Sequence, residues 1–209
     1  RPRHYKQESC RSSCYSGAVK EILAVIAALL AVAGNLPYLW DIVKGRVQPH
    51  PYTWLVWTFV SGIIFFGQLA KGAGIGALPT AASEIFTIII FFFSLKYGFK
   101  GINKTDTIFL ALAFAGIGLW ILTKDPTLAV VIAVSIDLIA FVPTIRKTWQ
   151  YPATETPILY GSNVLRHILA ILSLQTYNIA TTLHSVAMIT TNTLMTALIL
   201  SGKYRKTKP

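Results

Sequence analysis

The sequence predicts an all-α membrane protein with seven transmembrane helices, and three observations lead to that prediction. The chain has 209 residues, of which 54% are hydrophobic and only 13% are charged, against roughly 25% charged residues in a soluble domain. Its apolar residues lie in long blocks, and those blocks form an internal repeat. The basic residues are divided unequally between the segments that separate the blocks.

The apolar blocks define the helices. A hydrocarbon layer of about 30 Å requires about 20 apolar residues in helical form, with a range of about 17–25. Glycine and proline inside a block do not exclude it, because membrane helices tolerate both residues. The predicted helices cover residues 22–43, 52–70, 78–97, 107–123, 127–147, 157–175 and 179–201, and the fourth is the shortest.

The repeat organises these helices into a 3+1+3 arrangement. Residues 35–57 align without gaps on residues 141–163, at an offset of 106. Helices 1–3 then correspond to helices 5–7, and helix 4 is unpaired. Because one helix separates the two sets, helices 1 and 5 cross the bilayer in the same direction, as in parallel repeats. The prolines that mark the repeat are Pro37, Pro51, Pro143 and Pro157.

The regions outside the helices are short and polar. Residues 1–17 lack the apolar segment of a signal peptide, and we expect a disordered tail. Cys10 and Cys14 are the only cysteines, and a small disulfide between them is the alternative. The predicted segments are a polar N-terminal tail (1–21), a first three-helix repeat (22–97), a linker helix (107–123), a second three-helix repeat (127–201) and a basic C-terminal tail (202–209).

The positive charges predict an orientation. The net charge of +11 would suit a nucleic-acid partner, but the basic residues follow the two sides of the predicted membrane. Cytoplasmic loops carry an excess of lysine and arginine, which places the C-terminus in the cytoplasm and the N-terminus outside. The richer side carries Lys44, Arg46, Lys96, Lys100, Lys104, Arg146, Lys147, Lys203, Arg205, Lys206 and Lys208. The other side carries Arg1, Arg3, Lys6, Arg11, Lys20, Lys71 and Lys124.

The motifs of the repeat resemble those of the PQ-loop and SWEET (MtN3) superfamily. Each half has a proline late in its first helix, then a basic stretch, then an aromatic residue that opens the next helix. The glutamine that follows the proline in that family is absent from both halves. The residues that carry the resemblance are Pro37-Tyr38, Lys44-Gly-Arg46, Trp54 and Trp57 in one half, and Pro143-Thr144, Arg146-Lys147 and Tyr160 in the other.

This resemblance covers residues from about 22 to 201 and is greatest to uncharacterised bacterial members. It implies a transporter in the bacterial inner (plasma) membrane. SWEET-like transporters hold substrate with an asparagine on the third helix of each half. Asn192 lies in a comparable place on helix 7, whereas helix 3 has Glu84 at roughly that position.

Two charged residues lie in the middle of predicted helices. A charged side chain at mid-bilayer costs about 2.5–3.5 kcal/mol on insertion scales, so such residues usually face a partner or a cavity. Asp137 lies in helix 5 and Arg166 in helix 6. We expect them to face one another or to share an aqueous cavity, and a static ion pair between the two helices is the alternative.

Helix 6 also carries a polar stripe. Tyr160, Asn163, Arg166 and His167 share one face, because residues three and four apart lie on the same side of a helix. The matching face of helix 2 carries Trp54, Trp57, Val60 and Ser61. An interfacial anchor is the alternative role for the two tryptophans. The predicted substrate-binding residues are Trp57, Asp137, Asn163, Arg166 and Asn192.

Further roles are predicted for titratable residues and for the prolines. A carboxylate or an imidazole in the pathway would permit proton coupling, since either group binds and releases protons. A histidine that only packs between helices is the alternative. A proline removes a backbone hydrogen bond, so each proline of the repeat is a hinge or a static kink. The predicted proton-coupling residues are Glu84, Asp137 and His167, with His184 as a further candidate, and the predicted hinges are Pro37, Pro51, Pro143 and Pro157.

The sequence therefore favours a transporter that moves a small polar solute, a sugar or an amino-acid-like molecule, by alternating access. A membrane receptor or sorting protein on the same seven-helix scaffold is the alternative. The chain contains no H-E-x-x-H, no G-x-S-x-G and no paired aspartates, so an enzyme is not predicted. No cofactor and no metal are predicted. The predicted partners are the solute and the lipid bilayer, with no nucleic acid, and a homo-oligomer is left open.

Overall fold

The structure is a computed structural model that describes residues 3–45, 49, 51–98, 104–150 and 157–207. This part of the chain is helical throughout, without a β-strand, and contains seven α-helices and one short 3-10 helix, Gly74–Ala77. The α-helices are α1 (Arg3–Val43), α2 (Pro51–Ala70), α3 (Leu78–Tyr97), α4 (Lys104–Thr123), α5 (Pro126–Gln150), α6 (Pro157–Ser173) and α7 (Ile179–Thr207).

The helix ends follow local sequence signals. Proline opens α2, α5 and α6, at the position where its missing N–H leaves no hydrogen bond unmade. The Asp125 carboxylate accepts a hydrogen bond from the Thr127 N–H at 2.8 Å and caps α5. Asn178 caps α7 in the same way, through the Thr181 N–H at 3.1 Å. Each predicted apolar block lies in one of these helices, except that α6 ends at Ser173 rather than at residue 175.

The N-terminal region differs from the expectation of a disordered tail. Helix α1 begins at Arg3 and includes most of the segment that was predicted to be disordered. No proline or glycine interrupts residues 3–16, and an anchored helix extends at little cost because propagation is easier than nucleation. The side chains of Cys10 and Cys14 lie outside the described residues, so their disulfide stays a prediction.

Three helices are long and apolar enough to cross a membrane. These spans are Gly17–Val43, Gly74–Tyr97 and Ile179–Gly202. Two shorter apolar segments, Trp54–Ala70 and Pro126–Phe141, accompany them within the described part of the chain. The predicted class of membrane protein is therefore confirmed at this level.

The distribution of side chains supports the same class. Large apolar residues are exposed on the outside of the helices, which is the surface that lipid would cover. Polar residues are instead buried between the helices, where they are shielded from lipid. Exposed examples are Leu29, Phe66, Phe92, Leu165 and Leu200, and buried examples are Gln68, Thr87, Asp137, Arg166, His167 and Asn192.

Six of the helices close a ring. Going around it, α1 packs on α3, α3 on α2, α2 on α5, α5 on α7, α7 on α6, and α6 on α1. Helix α4 lies outside the ring, against α2 and α5. We call α1, α2 and α3 the first helical group, and α5, α6 and α7 the second. The groups meet at two interfaces, α2 with α5 and α6 with α1.

The two largest apolar clusters lie in different places. One fills the α2–α5 interface, where valines and isoleucines of both helices are buried together with Ala180 of α7. The other lies inside the second group, where Phe141, Tyr160 and Met188 join α5, α6 and α7. The first cluster holds the groups together, and the second holds the second group together. The α2–α5 cluster consists of Val56, Val60, Ile64, Val130, Ala133, Val134, Ile136 and Ala180.

Candidate functional site

The second helical group contains a buried chain of polar side chains. Asp137 projects from α5, Arg166 and His167 from α6, and His184 and Ser185 from α7. Asp137, Arg166 and His167 are exposed by 6%, 8% and 2% of their surface. Because buried polar groups are costly unless they have partners, the contacts between them determine what the site can do.

Arg166 is positioned by two neutral neighbours. Its Nε donates to Asn163 Oδ1 at 3.2 Å, and its Nη2 lies 2.7 Å from His167 Nε2. A guanidinium group has only donors, so His167 Nε2 must be the acceptor. The imidazole N–H is then on Nδ1, which donates to Ser185 Oγ at 3.3 Å. His167 is therefore a neutral side chain held in one tautomer between α6 and α7.

Asp137 has a different partner from the one predicted. Its Oδ2 lies 3.8 Å from His184 Nε2, a distance that allows electrostatic attraction and is too long for a hydrogen bond. The direct pair of Asp137 with Arg166 is absent from the described residues, so the expected direct contact is wrong, and the other expectation, a shared aqueous cavity, stays a prediction. The reason is the order of the helices in the ring. Helix α7 lies between α5 and α6, and its His184 contacts Asp137.

The two histidines connect these contacts. The rings of His167 and His184 lie edge to face, with centroids 5.3 Å apart and an angle of 79° between their planes. His184 Nδ1 is buried without a hydrogen-bond partner among the described residues. Asp137, His184, His167, Arg166 and Asn163 thus form one continuous row across the second group, which we call the polar row.

Glu84 lies outside the polar row. It is on α3, with its side chain near Ser61 of α2, and its Oε2 is buried without a partner among the described residues. A Cβ placed at Gly62 would lie 4.0 Å from Glu84 Oε1. The carboxylate is therefore held at the α2–α3 contact of the first group, away from the predicted substrate residues of the second.

Asn192 is buried but directed to its own helix. Its Nδ2 donates to the Met188 carbonyl at 2.7 Å, one turn earlier on α7. Met188 belongs to the apolar cluster that also contains Phe141 and Tyr160. The structure therefore places Asn192 two turns of α7 from His184, and it forms no hydrogen bond to the polar row within the described part of the chain.

The aromatic residues of the first group form a cluster of their own. The rings of Tyr38 and Trp54 have centroids 5.5 Å apart, and those of Trp54 and Trp57 are 5.0 Å apart at 79°. Trp57 Nε1 is buried and has no acceptor among the described residues. Trp57 occupies the position equivalent to Asn163, so each group presents a hydrogen-bond donor group at this place in the repeat.

The four prolines take two kinds of position. Pro51 and Pro157 are the first residues of α2 and α6. Helix α1 continues through Pro37 to Val43, and α5 continues through position 143 to Gln150. The side chain of Pro143 lies outside the described residues, and the hinge role of all four stays a prediction.

Hydrogen bonds also join the groups at one end of the ring. The turn between α2 and α3 contacts the turn between α6 and α7, and we call residues 71–77 and 174–178 the interlocked turns. The Gln175 N–H donates to the Ala73 carbonyl at 3.1 Å, and Asn178 Nδ2 donates to the Lys71 carbonyl at 3.0 Å. The packing is tight, because a Cβ at Gly76 would lie 2.7 Å from the Leu174 Cα.

One further bond spans the groups beneath these turns. Gln68 is 1% exposed, and its Nε2 donates to the Thr181 carbonyl at 3.3 Å. Sequence reasoning did not reveal the contact between the α2–α3 turn and the α6–α7 turn. It also missed Ser185, although Thr181, Ser185 and Asn192 lie on one face of α7 by their spacing.

Comparison with known proteins provides no relative. No protein-family model, no curated protein and no solved structure matches this chain.

Proposed function

We propose that the protein is a membrane transporter that moves a small polar solute by alternating access. The observation that carries this proposal is a closed ring of six helices that buries polar residues and is fastened at one end by the interlocked turns. Such an arrangement suits a site that must open to one side of the membrane at a time, because the two turns are joined by a few hydrogen bonds rather than by a covalent link.

The packing of the ring supports a 3+1+3 organisation with seven transmembrane helices. The offset of 106 residues relates α1, α2 and α3 to α5, α6 and α7. Under this relation the α2–α5 interface corresponds to the α6–α1 interface, and both are present in the ring. The third helix also lies between the other two in each group. A duplicated, parallel pair of three-helix units with α4 as linker accounts for this symmetry.

Several narrower proposals follow from the same scaffold. The resemblance to the PQ-loop and SWEET superfamily and a location in the bacterial inner membrane both fit a 3+1+3 transporter. With the N-terminus outside, the interlocked turns would lie on the outer face of the membrane and the repeated prolines nearer the cytoplasm. The closed end would then be the external gate.

A reversible lock on the interlocked turns tests the transport proposal. A Cβ at Gly72 would lie 3.5 Å from the Thr176 Cβ, within the Cβ–Cβ range of about 3.5–4.5 Å that a disulfide requires. Because Cys10 and Cys14 are the only cysteines, replacing both with serine gives a background for the pair Gly72→Cys and Thr176→Cys. Uptake of radiolabelled sugars and amino acids is measured in proteoliposomes before and after oxidation.

We expect uptake of at least one solute by the reduced protein, loss of most of that uptake on oxidation, and its return with dithiothreitol. Each single-cysteine variant is the matched control and should not respond to oxidant. Uptake that persists after the cross-link is verified by mass spectrometry contradicts a gate at these turns. Uptake equal to that of protein-free liposomes for every solute would instead favour a receptor or sorting protein on this scaffold.

A further inference from the structure

Arg166 is a buried cation without an anionic partner among the side chains that the structure describes. Its contacts are the neutral amide of Asn163 and the neutral imidazole of His167. Of the carboxylates in the middle of the helices, Asp137 lies near His184 and Glu84 lies near Ser61, so neither is paired with Arg166. An uncompensated charge is costly inside a membrane protein, so this position is suited to an anionic group that arrives from outside the chain.

The geometry around Arg166 also specifies the shape of that group. The guanidinium presents five N–H donors in a plane, and one from Nε and one from Nη2 are directed at Asn163 and His167. These bonds fix the plane and leave the other N–H groups without acceptors in the described part of the chain. A carboxylate matches such a fork with two parallel hydrogen bonds, which makes it the natural ligand.

A further feature of the site bears on the charge of the ligand. Asp137 and the two histidines occupy the rest of the polar row, and the Asp137 carboxylate would repel a second negative charge on the ligand. The site therefore favours one carboxylate over a phosphate dianion or a neutral sugar.

We propose that the transported solute carries a single carboxylate group and that Arg166 binds it, with His167 as the positioning residue that orients the guanidinium. This inference rests on the proposed function and narrows it, since it selects small monocarboxylates and amino acids and excludes neutral sugars. His167 acts by accepting the Nη2–H bond and donating to Ser185, which fixes Arg166 relative to α7.

Ligand binding to the purified protein tests the proposal directly. Acetate, lactate and alanine are the carboxylate probes, and acetamide, lactamide and alaninamide are their matched probes without the carboxylate, all at equal ionic strength. Thermal unfolding in detergent is followed because a ligand that binds the folded state raises the unfolding temperature, by an amount that grows with the ratio of its concentration to its Kd. We expect at least one carboxylate probe to stabilise the protein with an apparent affinity at least about tenfold higher than that of its amide.

Variants then assign the effect to Arg166. Arg166→Gln should abolish the difference between carboxylate and amide, whereas Arg166→Lys should retain part of it, since lysine keeps the charge but not the fork. His167→Gln should weaken carboxylate binding and leave amide binding unchanged. If Arg166→Gln does not fold, the comparison of acid with amide in the wild-type protein still decides the proposal.

The outcomes separate this proposal from the transport function. Equal stabilisation by acids and amides, stabilisation by none of the probes, or an acid preference that survives in folded Arg166→Gln would each overturn the carboxylate assignment. Uptake of glucose that the disulfide lock blocks would leave transport standing and refute the carboxylate. Absence of uptake for every solute, together with acid-selective stabilisation, would refute transport and leave a carboxylate-binding membrane protein.

Discussion

The two helical groups use equivalent positions in opposite ways. Val60 of α2 lies in the apolar cluster between α2 and α5, whereas its counterpart Arg166 of α6 begins the hydrogen bonds of the polar row. At the next position, Ser61 lies near Glu84 within the first group, and His167 contacts Ser185 within the second. The order of the helices is shared, whereas the polar row lies in the second group.

The two interfaces between the groups differ accordingly. Valines of α2 and α5 fill the first interface. In α1, the positions equivalent to Val130 and Val134 of α5 are Ala24 and Ala28, both buried, so α1 presents smaller apolar side chains than α5. Apolar packing is close and rigid, so we infer that movement between the groups occurs mainly at the α6–α1 interface, where α1 carries these smaller side chains.

The largest effect is expected when Val60 of the first group is replaced with arginine, the residue at the equivalent position of the second group. This substitution tests whether the two groups differ as described. Val60→Arg places a guanidinium in the α2–α5 cluster, where the neighbouring side chains are apolar and offer no acceptor. We expect the free energy of unfolding to fall by about 3 kcal/mol, the cost of an unpaired charge at mid-bilayer. The measurement is denaturant unfolding in detergent micelles, followed by tryptophan fluorescence.

The control for this change is Val60→Leu, which keeps the position apolar and adds one methylene group, at a cost toward the lower end of about 1–3 kcal/mol. A Val60→Arg protein as stable as Val60→Leu would mean that the α2–α5 interface admits water. The two interfaces would then be alike, and the proposed division of roles between them would fail.

The helices and their repeat were predictable because each depends on residues that are close in sequence. A block of about 20 apolar residues is sufficient to predict a helix, and an offset between prolines identifies equivalent helices. The order of the helices around the ring depends instead on contacts between distant segments. Asp137 and Arg166 are on consecutive helices, yet α7 intervenes in space, so the partner of Asp137 could not be deduced from chain order.

The neighbours that a side chain contacts also could not be predicted from the sequence. Glu84 and Asn192 lie on the third helix of their groups, and both were expected near substrate. Glu84 lies near Ser61 of the neighbouring helix, and the Asn192 amide donates to the Met188 carbonyl of its own helix. The stripe of Asn163, Arg166 and His167 was predictable, because three residues on one helical face remain together whichever way the helix turns.

A smaller effect is expected at the interlocked turns, which are where the groups meet most tightly. Gly76→Ala would bring its Cβ to 2.7 Å from the Leu174 Cα and 2.9 Å from the Leu174 nitrogen. Because these are backbone atoms, the turns must separate, and we expect a loss of about 2 kcal/mol in the free energy of unfolding. The same unfolding experiment measures it.

Gly161→Ala is the matched control, since a Cβ at that position meets nothing within 4 Å and alanine favours a helix by up to about 1 kcal/mol. It should leave stability unchanged or raise it. If Gly76→Ala and Gly161→Ala change the free energy of unfolding equally, the α2–α3 turn can move away from Leu174 at little cost. The closed end of the ring would then be more loosely packed than its distances indicate.

The smallest effect on the free energy of unfolding is expected from Gln68→Leu, which gives the first group the residue that the second group has at the equivalent position. Gln68 is equivalent to Leu174, and both are buried. Gln68→Leu removes one long hydrogen bond to the Thr181 carbonyl, which contributes about 0.5–1.5 kcal/mol, and also removes Oε1, a buried acceptor without a partner in the described residues that costs about 1–3 kcal/mol. We expect a net gain in the free energy of unfolding of about 1 kcal/mol or less.

Gln68→Leu also tests, through the uptake rate, whether the bond to Thr181 helps to hold the two groups together. If the Gln68 bond helps to fasten the groups at the closed end, Gln68→Leu should open that end more readily and alter the uptake rate although stability is slightly higher. Gln68→Ala serves as control, because it removes the same bond and leaves a cavity that lowers stability. Similar changes in uptake for both variants, with opposite changes in stability, would identify the bond to Thr181, rather than packing, as the contact that regulates opening.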